Sequence, residues 1–328
     1  MAEAETFPRD ARGEWRPPAL ITTPPIFVWP PRPLGFLKWL LGFPGYLLPW
    51  NAIYMAIATL TWLFLTPDMA TMQTFQPGWI AFIFLRNTAL LVLLTGLWHF
   101  RLYMQQAQGT RYKYTSRWLS KGSRTFLFGN QVYDNIFWSL VSGVPIWTAY
   151  EVVTMWAFAN HIIPYVDWAE HPVYCFVLLC AVGMLREFHF YWVHRIIHWP
   201  PLYRTVHYLH HKNVNIGPWS GIAMHPVEHL LYFSGVLFHW VIPSHPLHAI
   251  FHLQHAGLTP AQGHLGFDEI ELGGTARAQN HNFIHYLHHK YFTVNYGGDG
   301  SIPFDRWFGS FHDGSAEADA RMKSRRQK

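Results

Sequence analysis

Four apolar stretches in the first 185 residues are the feature that most restricts how this chain can fold. In lipid, every backbone N–H and C=O must be hydrogen-bonded within the protein, which leaves helices as the simplest spanning structure, and about 20 apolar residues suffice for one crossing. The stretches run approximately over Pro49–Leu65, Trp79–Tyr103, Ile136–Ala159 and Val173–Leu185. The sequence therefore predicts an all-α integral membrane helical bundle with about four transmembrane helices.

The composition agrees with a chain that lies largely in lipid. Half of the 328 residues are apolar and 13% are charged, against about 25% charged in soluble proteins. Many of the 17 Trp, 16 Tyr and 25 Phe residues stand at the ends of apolar runs, where amphipathic rings favour the headgroup layer. The net charge of +5 comes from basic tails and one loop, so no nucleic-acid partner is expected.

Two charged residues fall inside the predicted spans, Arg86 in the second and Glu151 in the third. A charge in the bilayer is costly and faces the interior of the bundle or a partner. We expect these two side chains to pair.

The loop charges predict the orientation of the spans, because cytoplasmic loops retain Lys and Arg. Residues 99–125 contain six Lys and Arg and no acid, whereas residues 66–78 and 161–172 contain no Lys or Arg. Both termini and the region after the fourth span are therefore predicted to be cytoplasmic, in the endoplasmic reticulum or the bacterial inner membrane.

The chain divides into four parts on this reading. Residues 1–33 contain eight prolines and are predicted to form an irregular cytoplasmic tail. Residues 34–185 form the transmembrane region, which opens with a short interfacial piece. Residues 186–312 form the histidine-rich region, and residues 313–328 form a basic C-terminal tail.

Two further apolar runs, Leu230–Ile242 and a second one that ends at Leu258, flank a break at Pro243–Pro246. Each run is short for a crossing. We therefore predict an interfacial hairpin that dips into one leaflet and closes an apolar tunnel over the histidine region.

Eighteen of the 22 histidines lie between residues 189 and 289. Because residues i, i+3 and i+4 share one face of a helix, a His-x-x-His-His box can aim three imidazoles at one point. Three clusters have such spacing: His194 and His198; His207, His210 and His211; and His285, His288 and His289. They are predicted to form a helical, histidine-rich cytoplasmic cap.

These eight imidazoles exceed the three or four ligands that one zinc ion takes, which predicts a two-metal centre. The two cysteines lie in an apolar run, so thiolate ligands are not expected. Imidazole suits iron, zinc and copper alike. A metal pair at the membrane surface, beneath an apolar roof, is placed to act on an acyl chain or sterol. Oxidation of an unactivated C–H bond there needs a redox metal and dioxygen, which zinc cannot supply. Iron is therefore the predicted element.

The motifs resemble the fatty acid hydroxylase / sterol desaturase superfamily over approximately residues 187–311. Besides the three boxes, the similar segments are His225–Glu228, Gly263–Asp268 and the pattern Asn295-Tyr296-Gly297 followed by Asp305-Arg306-x-Phe308-Gly309. The resemblance implies a membrane di-metal oxygenase that uses two Fe²⁺ ions, O2 and electrons from an external donor. It implies hydroxylation, desaturation or oxidative demethylation of a lipid or sterol, or cleavage of an ether lipid.

The resemblance places the eight box histidines as metal ligands and His264 as the lone ligand between the second and third boxes. His255 is an alternative to His264 for this ninth position. His281, four residues before His285, stays a candidate. His225 and Glu228 are predicted to lie behind the ligands, where a carboxylate fixes the tautomer of a ligand imidazole.

The predicted function is O2-dependent hydroxylation or desaturation of a lipid or sterol. The sequence contains no flavin fingerprint or cysteine cluster, so the external reductant is predicted to be a cytochrome b5-like or ferredoxin-like protein. Two alternatives stay open at this point, a histidine-rich membrane metal transporter and a catalytically silent lipid-binding sensor.

Overall fold

The computed structural model describes residues 9–18, 22–273, 276–280, 282–298 and 301–326. The helices before the histidine region are α1 (Pro33–Leu41), α2 (Leu47–Phe64), α3 (Pro77–Met104), α4 (Gln131–Ala159) and α5 (Pro172–Ile197). After α5 follow α6 (200–211), α7 (Pro226–Phe233), a 3-10 helix (Ser234–Trp240), α8 (Pro246–Gly263), α9 (Phe283–Tyr291), α10 (Phe304–Trp307) and α11 (Ala316–Arg326).

Helices α2, α3, α4 and α5 are long and apolar enough to cross a membrane, which confirms the predicted four-helix bundle. Helix α5 continues past the predicted end of its apolar run at Leu185 and stops at Ile197. Polar residues such as Arg186 and Glu187 end the hydropathy signal, but they do not end a helix. The stop comes where Trp199 precedes Pro200, because a residue before proline disfavours the α conformation.

The two apolar runs after Glu228 form the predicted hairpin, whose arms are α7 with the 3-10 helix and α8. Its turn lies against the loop that joins α4 to α5, where the Val166 N–H donates to the Ser244 carbonyl at 3.2 Å. Helix α8 is buried along nearly its whole length and packs between α2, α3, α4 and α5. The hairpin therefore reaches the end of the bundle opposite the histidines, deeper than the predicted dip into one leaflet.

The number of residues in the two apolar runs underestimated how far the hairpin reaches into the bundle, for two physical reasons. A 3-10 helix rises about 2.0 Å per residue, against about 1.5 Å in an α-helix, so the first arm reaches further than its length indicates. In addition, α8 is enclosed by protein and tolerates polar side chains that find partners. Gln254, for example, donates to the Thr61 hydroxyl at 2.8 Å.

One addition to the helical prediction is a small antiparallel hairpin of β1 (Glu269–Gly273) and β2 (Ala276–Gln279), in which Glu269 pairs with Gln279. It occupies the long interval between His264 and His285. The loop after α3 packs beside it, through a bridge between Lys113 and Phe267. This basic loop and the histidine region thus lie at the same end of the bundle.

The terminal segments also pack at that end. Trp15 is buried and stacks on Tyr114, with ring centroids 6.5 Å apart. At the other terminus, α11 buries Ala318, and Asp319 lies 3.1 Å from the His312 ring. In both predicted tails, residues 1–33 and 313–328, some of the residues that the structure describes therefore pack over the histidine region.

Arg86 and Glu151 pair inside the bundle, as predicted, and their side chains are 3% and 0% exposed. Asn87 donates to the second carboxylate oxygen of Glu151 at 3.0 Å, and Arg86 also donates to the Leu65 carbonyl at 2.9 Å. A buried pair of this kind is stable only when its remaining polar atoms are satisfied, and these contacts supply the partners. The network connects α3 to α4.

We expect Glu151→Leu to destabilise the bundle by about 3–5 kcal/mol, because it leaves a buried guanidinium without its carboxylate. The measurement is unfolding in detergent micelles followed by circular dichroism. The double variant Arg86→Leu/Glu151→Leu should regain most of the loss. Glu170→Gln, at an exposed position between α4 and α5, is the control, and equal effects of Glu151→Leu and Glu170→Gln would contradict the pairing argument.

Candidate metal centre

Four segments bring the nine predicted ligands together at one end of the bundle. The end of α5 carries His194 and is followed directly by His198. The second box lies on α6 and the third on α9. The ninth histidine, His264, directly follows the last residue of α8.

The nine imidazoles form two adjacent groups. In each group the possible ligand atoms all lie within 4.8 Å of one another. The five-histidine cluster consists of His194, His198, His207, His211 and His288, and the four-histidine cluster consists of His210, His264, His285 and His289. Each group can hold a metal ion, as the predicted two-metal centre requires.

The structure divides each His-x-x-His-His box between the two clusters, whereas the sequence predicted that all three imidazoles of a box aim at one point. His207 and His211, at i and i+4, share a cluster, and His210 turns to the other. In the third box, His285 and His289 stay together and His288 separates from them. Consecutive helical residues diverge by about 100°, so neighbours such as His210 and His211 belong to different clusters.

The spacing of the ring nitrogens fits a coordination shell. In the five-histidine cluster, Nε2 of His198 lies 3.1 Å from Nε2 of His207 and 3.2 Å from that of His211. In the four-histidine cluster, Nε2 of His264 lies 3.0 Å from Nε2 of His285. With metal–nitrogen bonds of about 2.1 Å, neighbouring ligands lie about 3.0 Å apart in an octahedral shell and about 3.4 Å apart in a tetrahedral one. Distances of 3.0–3.2 Å therefore fit imidazoles that share one metal ion.

Hydrogen bonds at the opposite ring nitrogen orient several of these imidazoles. The Nδ1–H groups of His194, His288 and His264 donate to the carbonyls of Tyr296 at 2.7 Å, Val294 at 2.6 Å and Pro260 at 2.8 Å, respectively. A proton fixed on Nδ1 leaves the Nε2 lone pair free for a metal. Sequence reasoning did not find these acceptors, because backbone carbonyls carry no residue signature.

The backbone segment that carries the Tyr296 carbonyl is itself fixed by Asp305. Asp305 accepts hydrogen bonds from the N–H groups of Tyr296 at 2.9 Å and Gly297 at 2.7 Å. This contact joins the two halves of the Asn-Tyr-Gly and Asp-Arg motif. The motif therefore fixes the backbone that orients His194.

Glu228 stands behind the second box, as predicted, with Oε1 2.8 Å from Nδ1 of His207. Both side chains are buried, and burial raises the pKa of Glu228 well above its ordinary value. Its other oxygen, Oε2, has no hydrogen-bond partner among the described residues. A negative charge on this carboxylate is favoured only when positive charge lies nearby, as two metal cations would provide.

The imidazoles outside the spans are held in the neutral form that binds metals. Burial lowers the pKa of His210 to about 4 and that of His288 to about 3. For His207, burial and the neighbouring His198 lower the pKa well below its ordinary value. Protons therefore compete weakly for these nitrogens at neutral pH.

Two other candidate histidines, His255 and His225, lie outside the clusters. His255 lies outside both clusters, and its Nε2 is 2.9 Å from Oδ1 of Asn51. His225 precedes α7 and accepts a hydrogen bond from the Val227 N–H at 3.2 Å. His281 lies outside the described residues. Of the two candidates for the ninth position, the geometry therefore favours His264.

A narrow cavity opens beside both clusters. Its wall includes histidines from each group, such as His194 and His264, together with apolar side chains such as Phe190 and Met224. Both hairpin arms contribute to it, through Tyr232 and Pro260. An apolar substrate in this cavity would lie against the imidazoles of both clusters.

The part of the chain that carries this site also matches known proteins. Residues 177–310 match the family model described as fatty acid hydroxylase. This match agrees with the superfamily that the motifs of the same part of the chain resemble.

Similar curated proteins include three fungal enzymes named Delta(7)-sterol 5(6)-desaturase. The one from Gibberella zeae is 36% identical over 110 residues, which cover 33% of each chain. That from Candida glabrata is 29% identical over 153 residues, covering 44% of this chain and 39% of the relative. That from Aspergillus fumigatus is 28% identical over 155 residues, covering 46% and 42%.

The matched segments thus span about a third to two fifths of the length of these relatives. No solved structure gives a significant match.

We expect His264→Ala to lower the metal content of the purified protein from about two ions toward one under chelator competition, because it removes one of four ligands from its cluster. His255→Ala should retain both ions. Inductively coupled plasma mass spectrometry measures the content. The reverse pattern would assign the ninth position to His255.

We expect Glu228→Gln to weaken metal binding by about 10–100-fold, because an amide cannot supply the charge that makes the His207 imidazole a stronger ligand. His225→Ala is the matched control: it alters the cap of the same helix but lies outside the clusters. Competition with a chromogenic chelator gives both affinities. Equal affinities in the two variants would reduce Glu228 to a structural role.

Proposed function

We propose that this chain is a membrane-bound di-iron oxygenase that hydroxylates or desaturates a C–H bond of a lipid or sterol. The observation that carries the proposal is the pair of adjacent histidine clusters at the end of an apolar bundle, beside a cavity lined by both. The superfamily match of residues 177–310 and the names of the similar sterol desaturases support it.

Iron is the proposed element because of the reaction. An unactivated C–H bond requires a redox metal and O2, which zinc does not provide. When bound, two Fe²⁺ ions would supply the electrons and the site at which O2 reacts. The ligand groups of both clusters contain no carboxylate, so the protein leaves most of the positive charge on the metals.

The side chains of this protein would hold the metal ions and orient the substrate. The nine proposed ligands are the members of the two clusters, and Glu228 and the backbone carbonyls fix their rings. The apolar wall near Phe190 and Met224 would place a hydrocarbon segment beside both clusters and exclude water. Exclusion of water prevents side reactions of a strongly oxidising centre.

The electron balance requires an external donor. Hydroxylation consumes O2, two electrons and two protons and gives an alcohol and water, and desaturation consumes the same reagents and gives an alkene and two waters. The sequence carries no flavin fingerprint or cysteine cluster. We propose a cytochrome b5-like or ferredoxin-like partner, for which the exposed Arg195 and Arg204 at the histidine end offer complementary charge to an acidic surface.

We also propose that both termini and the metal centre are cytoplasmic. The basic loop after α3 packs against the histidine region through Lys113 and Phe267. If that loop follows the positive-inside rule, the metal centre lies on the cytoplasmic side. The host membrane is proposed to be the endoplasmic reticulum or the bacterial inner membrane.

We expect protein loaded with iron in lipid nanodiscs to oxidise membrane lipid only when O2 and a reductant are both supplied. Protein loaded with zinc should bind the same number of ions and remain inactive, because zinc has no accessible redox change. Lipid mass spectrometry and oxygen consumption are the readouts. Equal turnover by the zinc-loaded protein would overturn the redox mechanism.

His210→Ala separates this proposal from the alternatives. It should abolish oxidation, because it removes a ligand of the four-histidine cluster. A lipid sensor would retain its lipid binding in that variant and would show no oxidation in the wild type. Metal flux into liposomes without oxygen consumption would favour a transporter.

A further inference from the structure

Three polar side chains are buried at the start of α4, in a helix that is otherwise apolar enough to cross a membrane. Gln131, Asp134 and Asn135 are 1%, 0% and 1% exposed. Buried polar groups need hydrogen-bond partners. All three find them in the two residues that directly follow the second histidine box, Lys212 and Asn213.

The Asn213 side chain joins α4 to the backbone of the second box. Its Oδ1 accepts hydrogen bonds from Nε2 of Gln131 at 3.0 Å and from Nδ2 of Asn135 at 2.9 Å. Its Nδ2 donates to the His210 carbonyl at 3.2 Å, and its backbone N–H donates to the same carbonyl at 3.1 Å. One buried amide thus connects two residues of α4 to the peptide group of a proposed ligand.

A buried ion pair makes a second connection between the same segments. The Lys212 ammonium lies 2.8 Å from the Asp134 carboxylate, and the two side chains are 10% and 0% exposed. Asp134 also accepts from the Leu127 N–H at 2.9 Å, and the ammonium lies over the Phe126 ring, 5.4 Å from its centroid. Loss of either charge would leave the other buried without its partner, which is costly, so the pair holds Lys212 firmly against α4.

These connections stand where a helix is weakest. Helix α6 ends at His211, and the last carbonyls of a helix have no partner within it, so helix ends fray. His210 and His211 belong to different clusters because consecutive helical side chains diverge by about 100°. That divergence persists only while the last turn stays helical, and Asn213 supplies the donors for the His210 carbonyl.

His211 depends on its backbone more than several other cluster members do. The rings of His194, His264 and His288 are oriented by backbone carbonyls at Nδ1, and that of His207 by Glu228. Among the described residues, Nδ1 of His211 has no hydrogen-bond partner. The direction of this ring is therefore set by the peptide backbone that carries it.

We propose that Asn213 is a positioning residue of the metal centre, which together with the Asp134 and Lys212 pair fixes the end of α6 so that His210 and His211 reach different clusters. The inference rests on the proposed di-iron function and adds the residues that divide the second box. Asn213 acts through the His210 backbone, so its loss should alter both metal positions at once.

The test compares two asparagines of one segment in the full-length protein in detergent micelles, with Co²⁺ as the probe. Asn213→Ala should weaken Co²⁺ binding by about 10-fold at both positions, the lower end of the effect of residues that support ligands. It should also shift the d–d absorption of bound Co²⁺, which reports coordination geometry. Competition with a chromogenic chelator gives the affinities.

Asn215→Ala is the matched control. The Asn215 side chain also donates two hydrogen bonds, but to the carbonyls of Arg117 at 3.2 Å and Trp118 at 3.0 Å instead of to His210. Its bond from Gln131 uses the backbone carbonyl and survives the substitution. We expect a similar loss of thermal stability in both variants, whereas Asn215→Ala should keep the wild-type absorption and an affinity within about twofold of wild type.

A milder variant keeps the test decisive if Asn213→Ala does not fold. Asn135→Ala removes one of the two donors to Asn213 and should weaken Co²⁺ binding by about threefold to fivefold, the scale of one lost hydrogen bond. Equal affinities and spectra in Asn213→Ala and Asn215→Ala would overturn the inference. Wild-type binding by Asn135→Ala would do the same.

This inference and the proposed function fail differently. If iron-loaded wild type oxidises no lipid although Asn213→Ala disturbs bound Co²⁺, the oxygenase function falls and the positioning role stands. If the wild type is active and the Co²⁺ sites of Asn213→Ala and Asn215→Ala are alike, only the positioning role falls.

Discussion

The convergence of nine neutral imidazoles in a buried pocket is the constraint on which the rest of this structure depends. Nε2 atoms of neighbouring rings approach to between 3.0 and 3.2 Å. Where both rings carry their proton on Nδ1, the facing lone pairs repel unless a cation lies between them. The surrounding elements serve this convergence. Helices α5, α6 and α9 bring the boxes together, and the backbone of residues 294–297 turns two of the rings inward.

Helix α8 connects this centre to the membrane region. It is buried among the four candidate spans, ends at Gly263 and delivers His264 to the four-histidine cluster. The same helix end borders the narrow cavity beside the clusters and a second, wider cavity. One element thus sets the position of a proposed ligand and part of the wall of both cavities, so a shift of α8 would alter them together.

Much of this arrangement was predictable because it follows from periodicity and residue type. The four spans follow from apolar length, the Arg86 and Glu151 pair from the cost of a charge in lipid, and the convergence of the eight box histidines from their helical spacing. Two features were not. The depth of the hairpin depends on the 3-10 helix Ser234–Trp240 and on the burial of α8, and neither leaves a hydropathy signal. The carbonyls that orient the rings, such as that of Tyr296, belong to the backbone. Every residue has such a group, so the sequence does not show which carbonyl accepts a hydrogen bond.

The sequence by itself determined a helical membrane bundle, a histidine-rich cap on one side of it, and the eight box histidines that meet there. Only the tertiary structure decided that His264 rather than His255 joins them, and how the nine histidines divide into five and four. The physical reason is that helical spacing fixes which side chains share a face. Which face meets which neighbour depends on how α5, α6, α8 and α9 pack against one another.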